Sequence, residues 1–191
     1  MQKQHIDLLS ASGHKFHGPK GVGFLYVRKD VDLPSFIHGG GQENGLRAGT
    51  ENVLGIAGMG EAARLANERV QNYAFQQMIE VRDYMIRNLL INCKGSVLNG
   101  SAILRLPNNV NMTFPGLDSS SALVMLSDMG ICASAGSACN NGDPKPSHVL
   151  TAIGKTKKEA ASTLRFTIGE ETTKEDVDFV VSALRMIQDV T

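Results

Sequence analysis

Five glycines fall between Gly39 and Gly49, in Gly39-Gly40-Gly41-Gln42-Glu43-Asn44-Gly45-Leu46-Arg47-Ala48-Gly49, and the segment carries neither a helical nor a strand period. Glycine loses more backbone freedom on folding than any other residue, so a run of this kind is a shaped loop and not the interior of an element. The whole chain shares the bias: 20 of its 191 residues are glycine, against a usual share of about 7%. The loop divides the chain into a strand-rich opening and a long helical stretch. Thr50 is expected to cap the helix that begins Glu51-Asn52, with acidic Glu51 in the first turn where the helix dipole favours it.

Before the loop, Ile6 to Ser12 and Val22 to Val27 are short apolar runs separated by Gly18-Pro19-Lys20-Gly21, which predicts two adjacent strands. No helix precedes them, so they resemble the edge of something larger. After the loop the helical pattern breaks near Glu68 to Asn72, and its second half places Phe75, Met78, Ile79, Ile86, Leu89 and Leu90 on one face. From about residue 95 short strands alternate with helices: Ser96 to Asn99, Val110 to Phe114 and Leu164 to Ile168 read as strands. Asp118 or Ser119 starts a helix that stops at Gly130, Ser147 starts a short one, and Lys157 to Ser162 forms another. Thr172 and Glu175 have the spacing of a capping box for a final amphipathic helix that buries Val177, Val180, Val181, Leu184 and Ile187.

Nineteen basic residues balance nineteen acidic ones, so no overall field favours nucleic acid or an anionic membrane. No apolar run has the length of a membrane span and the first residues lack the apolar core of a secretory signal, so a cytoplasmic location is expected, with no direct nucleic-acid or membrane partner. Three cysteines without CxxC spacing argue against a disulfide framework or a zinc ribbon. Cys93 and Cys132 adjoin apolar positions and are expected to pack as small hydrophobes, whereas Cys139 sits among small, turn-forming residues.

Four segments hold residues suited to chemistry. In Ser12-Gly13-His14-Lys15-Phe16-His17-Gly18-Pro19-Lys20-Gly21 a lysine follows an apolar strand in a glycine- and proline-rich loop, where its amine can be desolvated for nucleophilic use; taken alone, it reads more readily as a surface loop lysine with His14 and His17 incidental. The glycine loop running into a helix offers backbone N–H groups and the Thr50 hydroxyl to a phosphate, although glycine loops before capped helices are common. Gly136-Ser137-Ala138-Cys139 presents a thiol with no large neighbour to bury it, which is also what an inconsequential surface cysteine looks like. Arg165, within Leu164-Arg165-Phe166-Thr167-Ile168-Gly169, is placed on a strand to grip a carboxylate, or to serve as an ordinary ion-pair partner.

Together, and in this order, these segments resemble the cysteine desulfurases of the class V aminotransferase family, in particular the group I branch. Ser-x-His-Lys-x-x-Gly-Pro-Lys-Gly is similar to the family's pyridoxal-phosphate lysine segment, and Gly-Gly-Gly-x-Glu-x-Gly-x-Arg-x-Gly-Thr to its phosphate loop. Gly-Ser-Ala-Cys followed by Pro-Ser-His-Val-Leu is similar to the catalytic-cysteine loop, the most discriminating match, and Arg165-Phe166-Thr167-Ile168-Gly169 to the substrate-carboxylate strand. Downstream, Glu170-Glu171 departs from the pair that many relatives carry and alters the surroundings of Arg165.

The resemblance implies an α/β fold, the C-terminal part of a fold-type I pyridoxal-phosphate-dependent transferase: residues 1–70 as the end of the cofactor-binding large domain with a connecting helix, and residues 71–191 as an α+β small domain with the catalytic-cysteine loop. It implies pyridoxal 5'-phosphate as cofactor, held by Lys15, with Ser12 and His14 on its phosphate in cis and Thr50 reaching the phosphate of the other subunit in a homodimer. Arg165 would bind the carboxylate of L-cysteine. Cys139 would take its sulfur as a persulfide, for a sulfur-acceptor or iron–sulfur scaffold protein, and in some relatives this cysteine donates to a cluster held by that partner. No resident metal is implied. In the family the lysine segment lies near the middle of a chain about twice as long, so this chain by itself is expected to be inactive. Two further readings stay open: a non-enzymatic dimerising or partner-binding fragment, and another class V enzyme such as a selenocysteine lyase.

Overall fold

The computed structural model describes residues 4–135 and 147–190. The chain divides into two compact units, Met1–Tyr73 and Ala74–Thr191.

In the first unit, β1 (Leu8–Ser12) and β2 (Gly23–Val27) form an antiparallel pair, with Leu8 opposite Val27 and Ser12 opposite Gly23. β2 starts on a glycine because the backbones nearly touch there: a Cβ on Gly23 would lie 2.5 Å from the Ala11 carbonyl oxygen. Between the strands runs a 3-10 turn, Gly13–Phe16. α1 (Val53–Gln71) closes the unit. Its N-cap is Asn52, whose side chain accepts the Gly55 N–H at 3.1 Å, and not the expected Thr50. Both are good capping residues, and the helix starts at the later one. The helix buries only Gly55 and Ala62, while Leu54 is 88% exposed and Phe36 in the preceding loop is 94% exposed. A unit with so few buried large side chains leaves much apolar surface in water.

The second unit has a full core. α2 (Phe75–Asn92), α3 (Ser119–Asp128) and α6 (Lys174–Val190) accompany a three-stranded antiparallel sheet of β3 (Val97–Leu98), β4 (Asn109–Thr113) and β5 (Thr163–Thr167), in the order β3-β4-β5. Two short helices, α4 (His148–Ala152) and α5 (Lys157–Ala161), precede β5. Strand alternation sorts the side chains. Val110, Met112, Phe114, Leu164, Phe166 and Ile168 are buried in the core with Val81, Met85 and Leu89 of α2 and Val177, Val181, Leu184 and Ile187 of α6. Fully burying each such leucine stabilises the fold by roughly 1.5–3 kcal/mol.

Several local expectations shift. α2 turns Leu89 inward and leaves Leu90 46% exposed, because consecutive helical residues point about 100° apart. The capping box of α6 is Thr173 with Asp176, one residue later than expected, while Thr172 accepts the Gly169 N–H at 3.0 Å. Cys93 is buried, as its apolar neighbours suggest, but Cys132 is exposed. It follows Ile131, which takes the inward position.

Candidate active site

The 3-10 turn that follows β1 presents His14 and Lys15. Gly13 is buried; its N–H donates to the Val22 carbonyl at 2.8 Å and its own carbonyl accepts from Gly18 N–H at 2.9 Å. Gly18 has to be small, because a Cβ there would stand 3.0 Å from the Gly13 oxygen. His17 ends the turn in the left-handed region at φ 69°. The crossing hydrogen bonds fix the backbone of Ser12 to His17. Ser12, His14 and Lys15 are exposed, and their side chains take no hydrogen bond or ion pair among the described residues. The expected desolvation of Lys15 is therefore not supplied by the described residues.

The glycine loop is held by its own polar groups. Gln42 accepts the Gly49 N–H at 3.2 Å, Arg47 donates to the Ala48 carbonyl at 2.9 Å, and Ile37 and Arg47 form an isolated bridge. Ala48 is buried beneath it. With Asn52 capping α1, the exposed Thr50 hydroxyl is left without a partner among the described residues.

In the second unit Arg165 lies at the centre of β5. Its backbone exchanges hydrogen bonds of 2.7 and 3.0 Å with Ser134, and across the sheet it faces Asn111 of β4. The half-buried guanidinium makes no ion pair or side-chain hydrogen bond with any described residue. It lines a cavity of about 510 Å³ together with Asn99, Asn111, Arg105, Leu104, His148 and Ile153. Opposite Arg165, the loop between β3 and β4 is pinned from below. Arg105 donates to the carbonyls of Asn99, Ser101 and Asn109, and Arg82, buried in α2, donates to the Leu106 carbonyl at 3.0 Å. Burial first, and then the charge of Arg82, push the pKa of Arg105 down.

Among the expected site residues, Ser12, His14 and Lys15 share one turn of the first unit, Thr50 lies in that unit's glycine loop, and Arg165 belongs to the second unit. Cys139 lies outside the described residues. Asn99 and Asn111 escaped the sequence reading, although the alternation Asn109, Val110, Asn111, Met112, Thr113 announces a strand with one polar face.

The fit of this chain to pyridoxal 5'-phosphate rests on the donor set. A primary amine for an aldehyde, with an imidazole and a hydroxyl one and three positions before it for a phosphate, has no partner among the described residues, and those are the groups the cofactor's two reactive ends require.

A profile of the aminotransferase class-V family matches residues 1–180. A cysteine desulfurase IscS from Dictyoglomus turgidum is 46% identical over 182 residues, which are 95% of this chain and 46% of that protein. Among solved structures, a NifS-like protein superimposes with a TM-score of 0.87 at 34% identity over 100% of this chain and 48% of its own. SspA in complex with cysteine superimposes with a TM-score of 0.63 at 36% identity over 90% of this chain and 46% of its own. The chain thus spans about half the length of the relatives it matches.

Proposed function

The chain belongs to the class-V aminotransferase family, of fold type I, and from that premise we propose that it is the C-terminal half of a cysteine desulfurase. Residues 1–70 would complete the cofactor-binding domain and residues 71–191 would form the small domain. The exposed apolar surface of the first unit, Phe24, Leu25 and Leu54 among it, supports a role beside the polypeptide that the relatives have in addition.

The observation that carries the reading is Arg165: a guanidinium on a cavity wall with no partner among the described residues, in a chain that is 46% identical to a cysteine desulfurase. A planar fork of N–H donors grips a carboxylate bidentately, here that of L-cysteine. Lys15 is the residue that holds pyridoxal 5'-phosphate; Ser12 and His14 donate to its phosphate, and Thr50 donates to that of a second copy in a homodimer. When bound, the cofactor supplies the electron sink that makes the substrate Cα proton acidic. The Lys15 amine, displaced by the amino group of the substrate, is then the base that takes this proton. The Cys139 thiolate attacks the substrate sulfur, the Cβ–S bond breaks with its electron pair passing to the carbon side, and protonation there leads to L-alanine. Cys139 keeps the sulfur as a persulfide, ready for the thiol of an acceptor or scaffold protein. We place the reaction in the cytoplasm, where free thiols stay reduced; among the described residues no helix is long and apolar enough to cross a membrane.

Arg165→Gln tests the grip. In the chain joined to the half of the Dictyoglomus relative that precedes its Ser-x-His-Lys segment, kcat/KM for L-cysteine should fall by about 10–100-fold, the effect of losing a charged hydrogen bond. An unchanged kcat/KM would remove Arg165 from the site.

A further inference from the structure

The polar face of the sheet carries a chain of hydrogen bonds whose direction is set from one end by a backbone carbonyl. Thr163 Oγ1 lies 2.7 Å from the Glu159 carbonyl oxygen, which can only accept, so the Thr163 proton is committed to it. Thr163 Oγ1 is therefore the acceptor for Thr113, whose hydroxyl stands 2.8 Å away. Thr113 Oγ1 then accepts from Asn99 Nδ2 at 3.0 Å; the alternative, donation to Asn99 Oδ1 at 3.1 Å, would leave Thr163 without a donor from Thr113. That sets the amide of Asn99, and its second N–H goes to Asn111 Oδ1 at 2.8 Å. Asn99, Thr113 and Thr163 are 4%, 2% and 1% exposed, so solvent does not compete for these bonds.

The end of the relay is the Asn111 amide, whose oxygen is engaged and whose NH2 group takes no partner among the described residues. Asn111 lies opposite Arg165 in the register, and both line the same cavity. The Asn111 carbonyl accepts from Asn99 N–H on one side, and the backbone of Arg165 bonds Ser134 on the other. They are therefore a non-hydrogen-bonded pair, the kind in which facing side chains come closest, with Cα atoms about 4.5 Å apart. A neutral N–H donor beside a guanidinium that has no partner among the described residues is half of a carboxylate-binding pair.

We propose that Asn111 is a second binding residue for the substrate carboxylate: Arg165 supplies charge, and the Asn111 NH2 group, oriented by Asn99, Thr113 and Thr163, supplies a fixed donor that sets the tilt of the carboxylate plane. The proposal rests on reading Arg165 as the carboxylate grip. It adds a specificity element, because a ligand whose anion lacks a second acceptor oxygen cannot satisfy both groups.

The test is a titration of the 15N-labelled chain, joined to the first half of the Dictyoglomus relative and supplied with pyridoxal 5'-phosphate, with L-alanine, the redox-inert product, following the Arg165 Nε–H and Asn111 Nδ2 resonances, with L-alaninamide as the ligand lacking a carboxylate. Both resonances should move along one saturation curve with L-alanine and neither with the amide. Asn111→Asp keeps an acceptor for Asn99 and hence the relay; it should weaken L-alanine binding at least about tenfold without lowering Tm. If Arg165 moves and Asn111 does not, the proposal falls and the reading of Arg165 stands. If neither moves, both fall.

Discussion

The guanidinium of Arg82, in the second turn of α2, donates to the carbonyl of Leu106, 24 positions along the chain, at 3.0 Å. The same side chain pairs with Asp83 at 2.8 Å and is 5% exposed. It fastens the loop that forms one wall of the Arg165 cavity to the helix beneath. Arg82→Leu should therefore cost about 1–3 kcal/mol, because it removes charged hydrogen bonds to the Arg105 and Leu106 carbonyls and leaves Leu106 only the longer one from the Asn109 N–H at 3.4 Å. Urea unfolding measures the loss, and amides of residues 101–108 should exchange faster than in the parent chain. A variant as stable as the parent would show that the pinning contributes nothing.

Acid should loosen the cap of α6. The Thr173 N–H and hydroxyl both donate to the Asp176 carboxylate, at 2.8 and 2.9 Å, and hold its pKa below the usual value of 3.8. A carboxylate depressed in the folded state contributes stability that is fully present above its unfolded-state pKa and is lost as pH falls through the lower folded-state value. The first turn of α6 should fray over that window. In a carboxyl-carbon NMR titration, Thr173→Ala should move the Asp176 midpoint upward. A midpoint unmoved by the substitution would exclude the cap as its cause.

The two cysteines in the described residues should differ in reactivity. Burial pushes the Cys93 thiol up to about 11, whereas Cys132 is exposed. A thiol reacts through its thiolate, so iodoacetamide at pH 8 should label Cys132 in the folded chain and spare Cys93 until denaturant is added. Peptide mass mapping reads the outcome, and equal labelling rates would contradict the packing of α2 against the sheet.

The sequence revealed most where one periodicity decides the matter. The i, i+4, i+7 spacing of Val177, Val181 and Leu184 can only describe a helix face, and the alternation in β4 can only describe a strand. It was ambiguous where two residues suit one role, as with Thr50 and Asn52, or Thr172 and Thr173 with two acidic residues following. The relay from Glu159 to Asn111 was invisible for a different reason: its members lie up to 60 positions apart, and its direction depends on a carbonyl that only the fold brings into place. The order of Lys15, Thr50, Cys139 and Arg165 follows the motifs of the resemblance, whereas no periodicity or spacing in the sequence says which of them meet.

The central claim is that sulfur passes to Cys139. The chain, joined to the first half of the Dictyoglomus relative and supplied with pyridoxal 5'-phosphate and L-cysteine, is to be alkylated, digested and analysed by mass spectrometry. The account predicts one added sulfur on the Cys139 peptide, L-alanine released alongside it, and loss of that sulfur in Cys139→Ser. Alanine formed with no sulfur on Cys139, or persulfide undiminished in Cys139→Ser, would contradict it.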